Sequence, residues 1–307
     1  RSLCVFASLR ASKRLLRRDF ESLLGVSVDS ALRALSASDD LAVDYFTSSK
    51  RGDAAAQVCE YAILDLVANV RGLPVFRLVG EIANAMPVAP GPLRVPCYDT
   101  SLYIDEELDT TVAEAAALIA SEAMEGYERG HRAFKIKTGR GNRWNDLEEG
   151  TQKDIAVIKA VREAVGPECV IMIDANNGYN LNITKRVLSE TRDCELFWVE
   201  EAFHEDEAQY EDLRAWLDAE GIGTKIADGE GIGSQIDMHN MAINGPVDVV
   251  QYDIFSYGFM PWVLLGPKLD AAGVMSAPHH YGAALGNYCK CSRSLCVFFR
   301  SLKDAAA

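Results

Sequence analysis

Apolar positions over residues 53–72 recur at Ala56, Cys59, Ile63, Leu66, Val67 and Val70, the spacing of one helix face, and Gly72 followed by Pro74 predicts its stop. Further on the pattern changes to short apolar runs at 94–99, 134–137, 170–174, 196–200, 224–227, 247–252 and 274–277. Helical periodicity separates them, for example at 111–127, 154–165, 207–219 and 261–272. Strands alternating with helices at this interval predict an α/β fold with a parallel sheet. Seven such units point to a (β/α) TIM barrel rather than a doubly wound sheet. No glycine-rich phosphate loop follows a strand, because Gly139-Arg140-Gly141 lacks the rest of that fingerprint.

In such barrels catalytic groups gather at the carboxyl ends of the strands. Here those ends carry Lys135 and Lys137, Asp174, Glu200 and Glu201, Asp228 and Glu230, Asp253, and His279 and His280. One charged strand end is ordinary loop polarity; six in succession converging on one mouth imply a site. Asp174, Glu200 and Glu230 are read as an oxygen cage for one hard divalent cation, Mg²⁺, with Asn176 in support. Their neighbours Glu201 and Asp228 are read as helix-capping or exposed loop acids.

Lys135 and Lys137, two apart on a strand, share a face, which in a barrel is the interior. Two close ammonium groups disfavour each other's protonation and prepare one as a base. His279 follows the seventh run and Asp253 the sixth, and a carboxylate beside an imidazole fixes its tautomer and raises its basicity. His280 is set aside as pointing elsewhere.

Composition narrows the partners. The chain has 307 residues, enough for a large barrel, and its formal charge of −14 disfavours nucleic acid and anionic membranes, leaving a small molecule as the expected partner. No apolar run is long enough to span a bilayer, and eight scattered cysteines fit reduced thiols, so a cytoplasmic location is expected. Cys289-x-Cys291 with Cys296 is too tightly spaced for structural zinc. Residues 1–18 are rich in Arg and Ser with no acid and no initiator Met, and the hexapeptide beginning at Arg1 recurs at Arg293. Both termini are read as altered sequence.

The runs Phe134-Lys135-Ile136-Lys137-Thr138-Gly139, Ile173-Asp174-Ala175-Asn176-Asn177-Gly178-Tyr179, Trp198-Val199-Glu200-Glu201, Ala227-Asp228-Gly229-Glu230 and Ser276-Ala277-Pro278-His279 resemble the barrel motifs of the enolase superfamily, mandelate racemase subgroup. The resemblance implies a partial N-terminal α+β capping domain over 1–92 and a modified barrel over 93–307. It implies Lys137 as one base, His279 paired with Asp253 as another, and Lys135 on the substrate carboxylate, lowering the pKa of Lys137. The implied reaction is Mg²⁺-dependent removal of the proton next to a carboxylate with enediolate stabilisation, leading to dehydration of a sugar acid. The alternatives are a racemase or epimerase of a 2-hydroxy acid and a non-catalytic barrel. A homo-oligomer is expected. Two departures stand out: no β segment of the cap is legible before Asp53, and residues 289–302, where an eighth strand would supply an acid, contain none.

Overall fold

A computed structural model of the chain describes residues 64–65, 67–82, 96–104, 110–143, 145–231, 235–254 and 259–280. The start of the first predicted helix, the early cap, the cysteine cluster, the repeated hexapeptide and the eighth strand lie outside these residues. The described chain falls into two compact units, one of Pro96–Asp228 with Asn244–Val249 and the other of the remainder. Among the described residues no helix is long and apolar enough to cross a membrane.

The second unit opens on the end of the predicted helix, where residues 67–70 are helical. Gly72, at φ +62°, stops it as expected, the Leu73 N–H closing back on the Ala68 carbonyl at 2.9 Å. Pro74 then starts a helix that the sequence reading did not anticipate, α1 (Val75–Ile82), its carbonyl accepting the N–H of Arg77 at 3.0 Å.

The first unit contains β1 (Asp99–Leu102), α2 (Val112–Glu128), β2 (Ala133–Lys137), α3 (Arg140–Arg143), α4 (Leu147–Val165), β3 (Val170–Asp174), α5 (Leu181–Glu190), β4 (Trp198–Glu200), α6 (Glu207–Glu220) and β5 (Lys225–Asp228). These strands are parallel and lie in chain order. Among the described residues β1 begins at Asp99, past Pro96, which has no N–H to give a ladder. Helix starts follow capping chemistry. Thr111 and Glu114 form a reciprocal capping box on α2, Asn180 accepts the Ile183 N–H at 3.0 Å on α5, and Asp206 accepts that of Gln209 at 3.0 Å on α6. One sheet face is apolar and closed, with Phe134, Ile136, Ile171, Ile173, Val199 and Ile226 almost without exposed surface.

Register places the chemistry. Lys137 pairs with Asp174 across β2 and β3, and Asp174 pairs with Glu200 across β3 and β4. Neighbouring strands lie about 4.8 Å apart, so three charged side chains at paired positions become neighbours.

α4 starts two turns earlier than its periodicity predicts, because its first turns are polar yet partly buried. Within those turns α4 meets α3 closely: a Cβ on Gly150 would stand 2.2 Å from the Gly141 backbone nitrogen, so only glycine admits this approach. On the outer surface Arg186 of α5 grips Glu148 of α4 through two bonds of 2.6 and 2.7 Å.

In the second unit follow α7 (Gln235–Asn244) and β6 (Val249–Val250), whose Asn244 and Val249 belong to the first unit, α8 (Phe259–Ala271) and β7 (Met275–Ser276). The Ala277 N–H bonds the Val250 carbonyl at 3.0 Å, and Tyr252 packs on Trp262 with ring centres 5.1 Å apart.

Gly150→Ala is expected to cost about 1–3 kcal/mol through overpacking against rigid backbone, whereas Gly223→Ala, with nothing within 4 Å of its added Cβ, should change the urea midpoint little. Equal midpoints for the two variants would contradict this packing. Bonds from Arg186 and then Gln152 draw the Glu148 carboxyl from 4.5 down to about 2. Its contribution to stability is therefore complete above pH 4.5 and lost as pH falls through about 2. The unfolding midpoint of Glu148→Gln should accordingly converge on that of the parent over this window; a gap independent of pH would refute the pairing.

Candidate active site

The strand ends of the first unit hold a buried cluster of opposite charges. Asp174 and Glu200 have no exposed surface, and Lys135 is 3% exposed. The Lys135 ammonium sits 3.1 Å from Asp174 Oδ2 and donates to Glu200 Oε1, while Lys137 donates to the same Asp174 oxygen. Both lysines thus share a face, as period two requires. Lys137 is the more accessible, its side chain 15% exposed.

The remaining carboxylate oxygens are also engaged. Asp174 Oδ1 accepts the Asn176 backbone N–H at 3.0 Å and its side-chain amide at 2.7 Å. Glu200 Oε2 accepts the Trp198 indole N–H at 3.0 Å, and Trp198 stacks edge-on against Tyr98, whose ring also faces Lys135 at 5.5 Å. Trp198 was read only as part of a strand motif; its position two residues before Glu200, on the same face, was the available signal.

Electrostatics follow from these neighbours. Burial pushes the Asp174 carboxyl up, but Lys135 and Lys137 outweigh it and hold it well below the usual carboxylate range. Burial likewise opposes charge on Lys135, yet Glu200, with Tyr98 and Asp174, raises its pKa well above the ordinary lysine value. Considering the two lysines alone implies mutual depression; for Lys135 the adjacent carboxylates reverse that.

Glu201 and Asp228 correct the sequence reading. Neither is an exposed or capping acid: Asp228 has no exposed surface and Glu201 is 4% exposed. Asp228 accepts the Tyr210 hydroxyl, whose own ionisation is suppressed by burial and by that carboxylate, and Tyr210 stacks on Phe203. Glu201 accepts the Asn177 amide at 3.2 Å. Both are buried at the strand ends and hydrogen-bonded there.

Glu230, Asp253 and His279 stand together in the second unit. His279 Nδ1 meets Asp253 Oδ2 at 2.7 Å, and its Nε2 meets Glu230 Oε2 at 3.1 Å, so the imidazole lies between two carboxylates. Asp253 is 2% exposed.

Among the described residues no three His, Cys, Asp or Glu side chains form a ready-made cage. Asp174 and Glu200 nevertheless fit a hard cation: they are buried oxygen donors at paired positions, oriented by Asn176 and Trp198, and they already require positive charge beside them. A surface cavity of about 370 Å³, lined in part by Thr191, Arg192, Phe197 and Thr224, lies at the amino ends of β4 and β5, away from this chemistry.

Comparison with known proteins agrees with this arrangement. Residues 118–301 match the family model described as Enolase C-terminal domain-like. A mandelate racemase/muconate lactonizing protein from Geobacillus sp. Y412MC10, solved with magnesium and tartrate, is 48% identical over 83% of this chain and 65% of its own, with a TM-score of 0.73. A galacturonate dehydratase from Geobacillus sp., solved with D-galacturonate and 5-keto-4-deoxy-D-galacturonate, is 48% identical over 83% of this chain and 66% of its own, with a TM-score of 0.71. D-galactarolactone cycloisomerase from Agrobacterium fabrum is 30% identical over 62% of this chain and 46% of its own length. The chain spans about half the length of such curated relatives. With the motifs, the parallel α/β architecture and a family match over more than half its residues, the chain belongs to the enolase C-terminal domain-like family, whose fold is the modified (β/α) barrel.

Proposed function

We propose that this chain removes the proton from the carbon next to a sugar-acid carboxylate and expels the neighbouring hydroxyl, giving a 2-keto-3-deoxy acid. The observation that carries this reading is the pairing of Lys135 and Lys137 with the buried acids Asp174 and Glu200 at adjacent strand ends. A carboxylate already bears negative charge, so loss of its α-proton places a second charge on the same oxygens, and the barrier lies there. Lys135, kept charged by Glu200 and Asp174, supplies fixed positive charge to those oxygens. Lys137, the more accessible lysine, accepts the proton as the neutral amine, having first given up its own proton.

One Mg²⁺ would be held by Asp174 and Glu200 together with Glu230; when bound it supplies Lewis-acid charge to the substrate carboxylate. His279, oriented by Asp253 at Nδ1, would donate the proton with which the hydroxyl departs. Asp253 acts on His279 alone.

For the substrate we propose a hexuronate of the galacturonate type. D-galacturonate and 5-keto-4-deoxy-D-galacturonate, the molecules bound to the Geobacillus dehydratase, differ by this loss of water counted from the opposite end of the sugar.

Incubating the chain with D-galacturonate and Mg²⁺ in deuterium oxide should yield a ketone by NMR. Lys137→Ala is expected to lower kcat by about 10²–10⁴-fold. Deuterium entering the α-position with no ketone would replace dehydration by epimerisation; turnover indifferent to both EDTA and Lys137→Ala would overturn the reading altogether. In calorimetric titration with Mg²⁺, Glu230→Gln should weaken binding at least about tenfold. Asp228→Asn should leave the affinity in place and lower the melting temperature, because its partner is Tyr210. The reverse pattern would reassign the third ligand to Asp228.

A further inference from the structure

Helix α4 carries an acid that the proposed reaction leaves unused. Asp154 has no exposed surface although it lies in mid-helix. Its Oδ2 accepts the backbone N–H of Gly139 at 2.9 Å, that of Arg140 at 3.3 Å and the Tyr179 hydroxyl at 2.9 Å. Its Oδ1 accepts Arg140 Nη1 at 2.8 Å, and the same nitrogen donates to the Lys137 carbonyl at 3.2 Å. Two of these partners leave β2 directly after Lys137. The third, Tyr179, closes the loop that leaves β3 after Asp174.

The two loops are also interlocked through backbone. A Cβ on Gly139 would stand 2.5 Å from the Ala175 carbonyl oxygen, and one on Gly178 would stand 2.9 Å from Gly139 Cα. The Thr138 N–H continues the β2–β3 ladder to the Asp174 carbonyl at 2.8 Å. Burial pushes the Asp154 carboxyl up, and Arg140, Gly139 and Tyr179 pull it back, so donors from both loops offset the cost of burying it. A carboxylate satisfied from two loops at once ties their positions to each other.

We infer that Asp154 is a positioning residue: it fastens the loops after β2 and β3 to α4 and thereby fixes Lys137 and Asp174 for proton removal. As far as turnover is concerned, the inference rests on the proposed reaction; the tie between the loops does not. Asp154 touches no reacting atom and acts through Arg140, Gly139 and Tyr179.

The test uses Asp154→Asn, which keeps the shape and replaces one acceptor oxygen by a donor, and Tyr179→Phe, which removes a single donor. Amide hydrogen exchange at residues 138–141 and 175–179 should quicken at least about tenfold in Asp154→Asn. With D-galacturonate and Mg²⁺, kcat should fall about 10²-fold while KM stays within about threefold, as misplacement of a base requires. Tyr179→Phe should shift both readouts in the same direction by less. Loop exchange unchanged from the parent would overturn the proposal, as would loop exchange that quickens while kcat holds. Should the parent turn over no sugar acid, the reaction reading fails and amide exchange alone decides: quickened exchange at both loops upholds the tie, and quickening at one loop only refutes it. Should Asp154→Asn not fold, Tyr179→Phe decides by the same readouts.

Discussion

Asp174 and Glu200 stand side by side, without exposed surface, at the ends of adjacent parallel strands, and keeping two such neighbouring carboxylates charged in that place calls for positive charge beside them. Lys135 answers both at once and Lys137 answers Asp174. Taking these ions out of water costs about as much as their attraction returns, and well-packed apolar residues would serve stability as well or better. The cluster is therefore a poor stabilising device and a concentrated site of paired charge.

The backbone around the cluster is shaped to the same end. Asn176, Asn177 and Glu201 all have positive φ, between 42° and 59°, at the exits of β3 and β4. For residues with a Cβ such angles are costly and persist only where surroundings impose them. Here the impositions are visible: the Asn177 N–H bonds the Glu201 carbonyl at 2.7 Å, the Tyr179 N–H bonds the Ala202 carbonyl at 3.0 Å, and the Glu201 N–H bonds the Ala227 carbonyl at 3.1 Å. Hydrogen bonding thus continues past the strands into the loops. The turn after β3 sends Asn176 back onto Asp174, and the glycine contacts between Gly139 and Gly178 bring the neighbouring loop within backbone distance.

Periodicity exposed the strands because their inner face is uniformly apolar, and it exposed the common face of Lys135 and Lys137 because strand side chains alternate. The charged ends of β2, β3 and β4 were legible for the same reason, each closing an apolar run. Asp154 was not. It stood only as the first residue of the helical pattern over 154–165, and only the fold shows that two loops return to it. Glu201 and Asp228 were misread because the partners that allow their burial, Asn177 and Tyr210, lie 24 and 18 residues away. Local pattern reports which face a residue occupies and not what meets it there.

The central claim is that the Lys135–Lys137–Asp174–Glu200 cluster is a cation and proton-transfer site held closed by its own lysines. The most direct measurement is a crystal structure of the chain grown with Mg²⁺ and tartrate, the pair found with its Geobacillus relative. The account predicts electron density for a cation on the carboxylates of Asp174 and Glu200, with the Lys137 amino group turned away from Asp174 toward the bound acid. A cation and acid bound elsewhere, with Lys137 still paired to Asp174, would contradict it.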